Sequence, residues 1–336
     1  MGQKTRIEWA DSTWNPVTGC TKVTSGCDHC YAETIARRFT GTSAYPHGFT
    51  LTLRPDRLQQ PLRWQRPRHV FVNSMSDVFH ADIPTDYIAR MVAVMALADR
   101  HDFLILTKRH ARLRSVFTSP AFHIAVLDAV YRIAHGDDPD VHLSAPQRTA
   151  YLARHDDAVS GFTSSVFPWP LPNVWLGVSA EDQATADMRI PALLATPAAR
   201  RFVSCEPLLG PVTLTSHLTG CTCAPADDGE AGGAELRGPV VSGCPAHDGL
   251  HWLIAGGESG PAARPMQPRW VRGLRDECVA ADVPFFFKQW GEWGPVGDGQ
   301  MFRMNKRLSG RRLDGRTWDQ RPTSATRTAP PADTPS

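Results

Sequence analysis

The chain has 336 residues, 42% hydrophobic and 21% charged, with eight cysteines and a net charge of +2. No apolar run approaches the ~18 residues that a membrane-spanning helix needs, which excludes that class. A charge near zero creates no global field for nucleic acid or anionic lipid. A chain this long buries a core without staples, so the cysteines need another explanation. Lys4, Arg6, Glu8 and Asp11 stand where an apolar leader would lie. The expectation is a protein without a secretion signal that stays in the cytoplasm, where disulfides are rare.

In chain order, a weak apolar run ending at Gly19 reads as a first strand. Stronger runs follow at His69–Asn73, Phe103–Thr107, Val174–Val178, Arg201–Cys205, Trp252–Ala255 and Pro284–Lys288. They are apolar nearly throughout, as in strands buried on both faces of a parallel sheet. Helical spacing lies between several of them. Tyr31, Ile35 and Phe39 share one face; Ile88, Met91, Met95 and Ala98 share another, with Pro84 near its start. Val271, Leu274 and Cys278 form a third stripe after Pro268, and Ser179 with Asp182 resembles a capping box. Strand alternating with helix predicts βα units with right-handed crossovers. The fold class is therefore α/β, a partial or full parallel (β/α) barrel of six to seven strands, with a doubly wound open sheet as the alternative. One domain is expected over residues 1–318, with insertions at about 115–168 and 219–250. Residues 319–336, rich in Pro, Ser, Thr and Ala, read as a disordered tail.

In parallel α/β folds the chemistry sits at the carboxyl ends of the strands. Here those ends carry Cys20, Asn73-Ser74-Met75-Ser76-Asp77, Thr107-Lys108-Arg109, Ser179-Ala180-Glu181-Asp182, Cys205-Glu206, Gly256-Gly257-Glu258 and Lys288-Gln289. Two of only five lysines, Lys108 and Lys288, fall on this rim. Gly256 and Gly257 would let backbone N–H groups approach a ligand closely.

Cys20, Cys27 and Cys30 occupy one loop with the spacing C-x6-C-x2-C, followed by a helix. Three thiolates suit a soft metal. Zinc would take a fourth ligand, such as His29 or His47. A [4Fe–4S] cluster held by three cysteines leaves one iron open for a chelating ligand such as the amino acid end of S-adenosylmethionine.

The loop resembles the cluster loop of radical S-adenosylmethionine enzymes, C-x3-C-x-aromatic-C after the first strand of a partial barrel. Cys27-Asp28-His29-Cys30-Tyr31 matches its second half, with His29 at the aromatic position, while the first interval is six residues instead of three. Over most of its length the chain is also similar to the phage and bacterial three-cysteine-motif proteins, an uncharacterised family. Carrying that similarity are Glu8-Trp9-Ala10-Asp11-Ser12-Thr13-Trp14-Asn15-Pro16, the cysteine loop, Asn73-Ser74-Met75-Ser76-Asp77-Val78-Phe79, Leu106-Thr107-Lys108-Arg109 and Trp175-Leu176-Gly177-Val178-Ser179. Glu206-Pro207-Leu208-Leu209-Gly210, Gly256-Gly257-Glu258-Ser259-Gly260 and Phe287-Lys288-Gln289-Trp290-Gly291 complete it.

The resemblance implies a radical-type iron–sulfur architecture. Cys20, Cys27 and Cys30 would ligate a [4Fe–4S] cluster and His29 would contact adenine. Asn73 and Ser74 would hold the amino group of S-adenosylmethionine, Ser179 and Glu181 its ribose. Gly256, Gly257 and Gln289 would also face the cofactor. Lys108, Glu206, Glu258 and Lys288 are the candidate catalytic residues. A small-molecule or nucleic-acid substrate, with a nucleotide or base as the guess, and an electron donor are the implied partners.

A second set, Cys221, Cys223, Cys244 and His247, offers four zinc ligands in the polar insertion. Arg54, Arg57, Arg63, Arg66 and Arg68 cluster around Trp64, and Arg303, Lys306, Arg307, Arg311, Arg312 and Arg316 lie near the C-terminus. Such groups bind phosphates and stack bases, or are simply solvated. Trp9, Trp14, Trp290 and Trp293 would either floor a base pocket or pack in the core. Two other readings stay open: a zinc-clipped nucleic-acid-binding module, and an iron–sulfur redox or accessory protein that does not cleave S-adenosylmethionine.

Overall fold

A computed structural model describes residues 5, 7–149, 168–218, 249–297 and 299–323. Its centre is a seven-stranded sheet: β1 (Ser12–Trp14), β2 (His69–Val72), β3 (Asp102–Thr107), β4 (Val174–Ser179), β5 (Arg200–Cys205), β6 (Trp252–Gly256) and β7 (Phe285–Gln289). The strands lie in sequence order and every pair is parallel. A doubly wound sheet would reverse direction at a switch point, and none occurs here. The sheet curls into a half-barrel with β1 and β7 as its edges.

Among the described residues six helices of eight residues or more accompany it: α1 (Tyr31–Arg38), α2 (Thr85–Leu97), α3 (His110–Phe117), α4 (Pro120–His135), α5 (Gln183–Leu194) and α6 (Pro268–Ala280). Among the described residues no helix is long and apolar enough to cross a membrane.

Two apolar layers follow from the strand period of two. On the convex side Val70, Val72, Phe103, Ile105, Val203, Leu253, Phe285 and Phe287 pack with buried residues of the helices, among them Ile88, Met91, Met95, Val271, Leu274 and Cys278. The concave side holds a separate cluster of Trp9, Phe71, Leu104, Trp175, Phe202, Trp252, Ile254 and Phe286. Trp9 comes from the segment before β1 and plugs it, with ring centroids 4.6 Å from Phe71 and 6.3 Å from Trp252. Gly177 makes room for Phe202, whose ring would lie 2.5 Å from a Cβ there.

Several expectations are corrected. The first strand is Ser12–Trp14, while Val17–Thr18 leaves the sheet and pairs antiparallel with Thr52–Leu53. Asp182 caps α5 with Thr185, not with Ser179, which ends β4. The Tyr31, Ile35 and Phe39 face of α1 is exposed, and the helix buries Ala32 and Ala36 instead. Trp9, Trp14 and Trp290 are buried core residues and floor no pocket. Residues 319–323 pack on the fold, since Gln320 O accepts from Trp252 Nε1 at 2.9 Å and Arg321 reaches Glu8 O at 2.6 Å. Part of the first insertion is α4. The second, with Cys221, Cys223, Cys244 and His247, lies almost wholly outside the described residues.

Candidate functional site

The cysteine loop leaves the end of β1 and crosses the carboxyl end of the half-barrel. Gly19 starts it at φ +83°, and a Cβ there would lie 2.3 Å from Thr50 O. Only glycine fits both demands. Ser76 Oγ donates to Gly19 O at 2.6 Å, and Cys20 N donates to Phe49 O at 3.3 Å, fixing the first thiol. Cys27 closes a single 3-10 turn, Ser25–Cys27, and Cys30 is the N-cap of α1. All three thiols are free and partly exposed.

Three charged groups on the barrel rim hold this loop. At its start, Arg109 Nη2 donates to Thr21 O at 3.1 Å and Thr21 Oγ1 at 2.8 Å, and stands 4.0 Å from Cys20 Sγ. Asp77 backs this corner by accepting from Thr107 Oγ1 at 2.7 Å and Lys108 N at 3.1 Å. In the middle, Arg189 Nη2 donates to Thr24 Oγ1 at 3.3 Å, while its Nη1 meets Glu181 Oε2 at 3.0 Å. Lys108 Nζ completes that group, 2.8 Å from Glu181 Oε1. On the far side Arg264 Nη2 donates to Ser25 O at 2.8 Å and to Glu258 Oε1 at 2.7 Å. His29 Nδ1 donates to the same Glu258 oxygen at 3.2 Å.

These contacts set the ionisation of the rim. Burial pushes the Glu181 carboxyl up, but Lys108 and Arg189 outweigh it and hold it below the usual carboxylate range. Glu258 behaves the same way: burial raises it, and the Arg264 and His29 hydrogen bonds bring it below normal. The Cys20 thiol is pushed up by burial and by Asp77, against the pull of Arg109. Burial drives Cys205, at the end of β5, up and Cys278, on α6, up to about 12, and both are fully buried core thiols.

The expected site residues divide by what they touch. Glu181 and Glu258 meet the loop at Gly26 and His29, and Lys108 reaches it only through Glu181. Lys288 Nζ and Glu206 Oε1 form their own pair, 2.7 Å apart, at the ends of β7 and β5. Gly256 lies between them, where a Cβ would make ordinary contacts with Lys288 and Glu206. Gly257 serves the chain itself: its N–H donates to Gln289 O, and a Cβ would lie 1.9 Å from Trp290 O. Gln289 Nε2 is bound to Gly257 O and Ser259 Oγ, and Ser74 Oγ to Asn15 Oδ1. The O atom of Ser179 accepts from Arg189 at 2.8 Å. Asn73 sits at φ +55° with Oδ1 accepting from Val17 N, and its buried Nδ2 has no partner.

Arg189 and Arg264, which tether the loop, are residues that sequence reasoning missed. Arg189 had a signal: it shares the buried face of α5 with Ala186, Ile190 and Leu193. An arginine there requires a buried acid. The arginine clusters are mostly spent on the fold: Arg54 binds Asp56 and Ala44 O, Arg57 binds Asn15 O, and Arg316 lies over Trp318 at 3.7 Å. Arg63 and Arg66 are exposed.

Fold and site together define a parallel α/β half-barrel with a tethered three-thiol loop across its open mouth. The chain belongs to a family described as protein of unknown function (DUF5131), which matches residues 4–322. Comparisons with curated proteins and with solved structures gave no match.

Proposed function

We propose that this protein is an iron–sulfur enzyme of radical S-adenosylmethionine-like type, with Cys20, Cys27 and Cys30 as the ligands of a [4Fe–4S] cluster at the barrel mouth. The supporting observation is three free, partly exposed cysteines on one loop, anchored over the carboxyl ends of a sequentially ordered parallel half-barrel. The donor set suits a soft, iron–sulfur type of centre. Among the described residues no three His, Cys, Asp or Glu side chains gather around a single ion position. Bound there, such a cluster supplies one electron at a time and one open iron site.

The chain's own residues supply the rest. Arg109 places a positive charge beside Cys20 and partly offsets the burial and the Asp77 charge that push its thiol up. Lys288 and Glu206 present an ammonium and a carboxylate side by side, an arrangement that suits a small zwitterionic or anionic ligand. The aromatic plug around Trp9 closes the lower barrel and confines any ligand to the mouth. S-adenosylmethionine finds fewer of its expected contacts than the cluster does. Ser74, Glu181, Gly257 and Gln289 are committed to protein partners, and Glu206 and Lys288 are paired with each other, leaving Gly256 and the Asn73 amide. A nucleotide or nucleic acid base is the proposed substrate class.

Anaerobic reconstitution with ferrous iron and sulfide should give about four irons per chain and a brown protein. Zinc bound in place of iron, with no cluster formed, would overturn the reading in favour of a structural clip. A zinc atom in addition to the iron would favour the Cys221, Cys223, Cys244 and His247 site. Formation of deoxyadenosine or methionine by the reduced protein identifies S-adenosylmethionine as the ligand. Their absence leaves an iron–sulfur redox protein.

A further inference from the structure

The residue expected to bind ribose does something else. Glu181 is 0% exposed, sealed beneath the cysteine loop. Its two oxygens are fixed by Lys108 and Arg189, at 2.8 and 3.0 Å. Gly26, between the first and second cysteines, lies directly on it. A Cβ at Gly26 would stand 2.5 Å from both Glu181 Cγ and Oε1. Gly26 is not among the residues with positive φ, so its backbone would accept alanine. What requires glycine there is the contact alone. A flexible side chain would swing away from a methyl group, but a carboxylate held by the buried Arg189 and the partly buried Lys108 does not.

We propose that Glu181 is a positioning residue for the three-cysteine loop. Its clamped carboxylate is the seat on which Gly26 rests, and this seat sets the separation between Cys20 and the Cys27–Cys30 pair. The inference rests on the reading that these thiols bind a metal centre. Arg189 extends the seat by also binding Thr24 Oγ1, and Arg264 holds Ser25 O from the opposite side. The charges agree with the role. One carboxylate between two cations leaves a net positive platform beneath thiolates that become anionic when ligated. Lys108 neutralises the seat from below and is accounted for without contact to substrate.

The test adds one methyl group and then makes room for it. Gly26→Ala should lower iron affinity on anaerobic reconstitution by about tenfold or more, because overpacking displaces the loop. Combining it with Glu181→Asp, which keeps the charge and withdraws the carboxylate by one methylene, should restore loading to within a few-fold of wild type. Wild-type loading by Gly26→Ala overturns the proposal, and so does a folded double variant that loads no better than the single one. Should the wild-type chain take up no iron, the metal reading falls and the seat is still measured by hydrogen exchange. The Cys27 and Asp28 amides, bonded to Thr24 O and Ser25 O, should exchange about tenfold faster in Gly26→Ala, with sheet amides unchanged. Thr24→Val, which removes only the hydroxyl tie in a partly exposed loop, should shift the same amides in the same direction. Unchanged protection in both variants overturns the seat.

Discussion

The two ends of the half-barrel are held together by different physics. At the amino end Trp9, Trp175, Trp252, Phe202 and Phe286 fill the concave face, and Trp175 and Trp252 meet edge to face at 6.3 Å. At the carboxyl end the filling is ionic: Lys108 with Glu181 and Arg189, Lys288 with Glu206, Arg264 with Glu258. Apolar burial is non-directional and accumulates with area, so it stabilises the fold. Ion pairs below the surface add little net stability after desolvation but fix geometry and charge. The amino end therefore makes the barrel, and the carboxyl end orders a loop upon it.

The largest expected effect breaks the amino end. Trp252 is 1% exposed and lies within the aromatic plug, with Nε1 bound to Gln320 O. Trp252→Ala should cost about 3–5 kcal/mol of unfolding free energy, read from denaturant melts. The fraction that remains folded should still load iron as wild type does. Reduced loading per folded chain would mean that the two ends are not separable.

How much of this was legible in sequence follows the same division. The six strands from His69 to Lys288 stood out because both of their faces are buried, making their apolar runs continuous. The first strand did not, because Ser12–Trp14 has three residues and two carry hydroxyls, whereas nearby Val17 looked more strand-like. The α1 stripe misled for a packing reason: the helix buries only Ala32 and Ala36, leaving Tyr31 50% and Phe39 46% exposed. The thiols themselves were legible from spacing. Their tethers were not, since Arg189 and Thr24 are 165 residues apart, and Arg264 and Ser25 are 239 apart. No local pattern links residues at that distance, and only the fold brings them together. Glu181 and Glu258 were correctly placed on the rim, but their partners decide what they do.

A smaller effect comes from the far tether. Glu258 accepts from Arg264 Nε and Nη2 and from His29, so Glu258→Gln should cost about 1.5–3 kcal/mol at neutral pH. The pH dependence has a definite sign. The folded carboxyl lies below its ordinary 4.5, so the unfolded chain binds the proton more readily. The contribution is complete above 4.5 and is lost as pH falls through the folded value. Melts of wild type and Glu258→Gln should therefore converge on acidification below 4.5. A constant gap through that range would show that the carboxylate is not the charged partner of Arg264.

The smallest effect on stability should accompany the largest effect on the proposed metal centre. Cys27 is partly exposed and has free thiol character. The loop around it is held by Thr21, Thr24, Ser25 and His29, not by Cys27 itself. Cys27→Ser removes a proposed metal ligand while leaving every one of those ties in place. Its unfolding free energy in the absence of metal should stay within about 0.5 kcal/mol of wild type. Reconstituted iron should fall to background, because serine oxygen is a poor ligand for a site chosen by soft thiolates. If the variant instead melts much earlier without metal, Cys27 belongs to the packing of the loop. The carboxyl end would then be a structural element like the aromatic plug, and the contrast between the two ends would be lost.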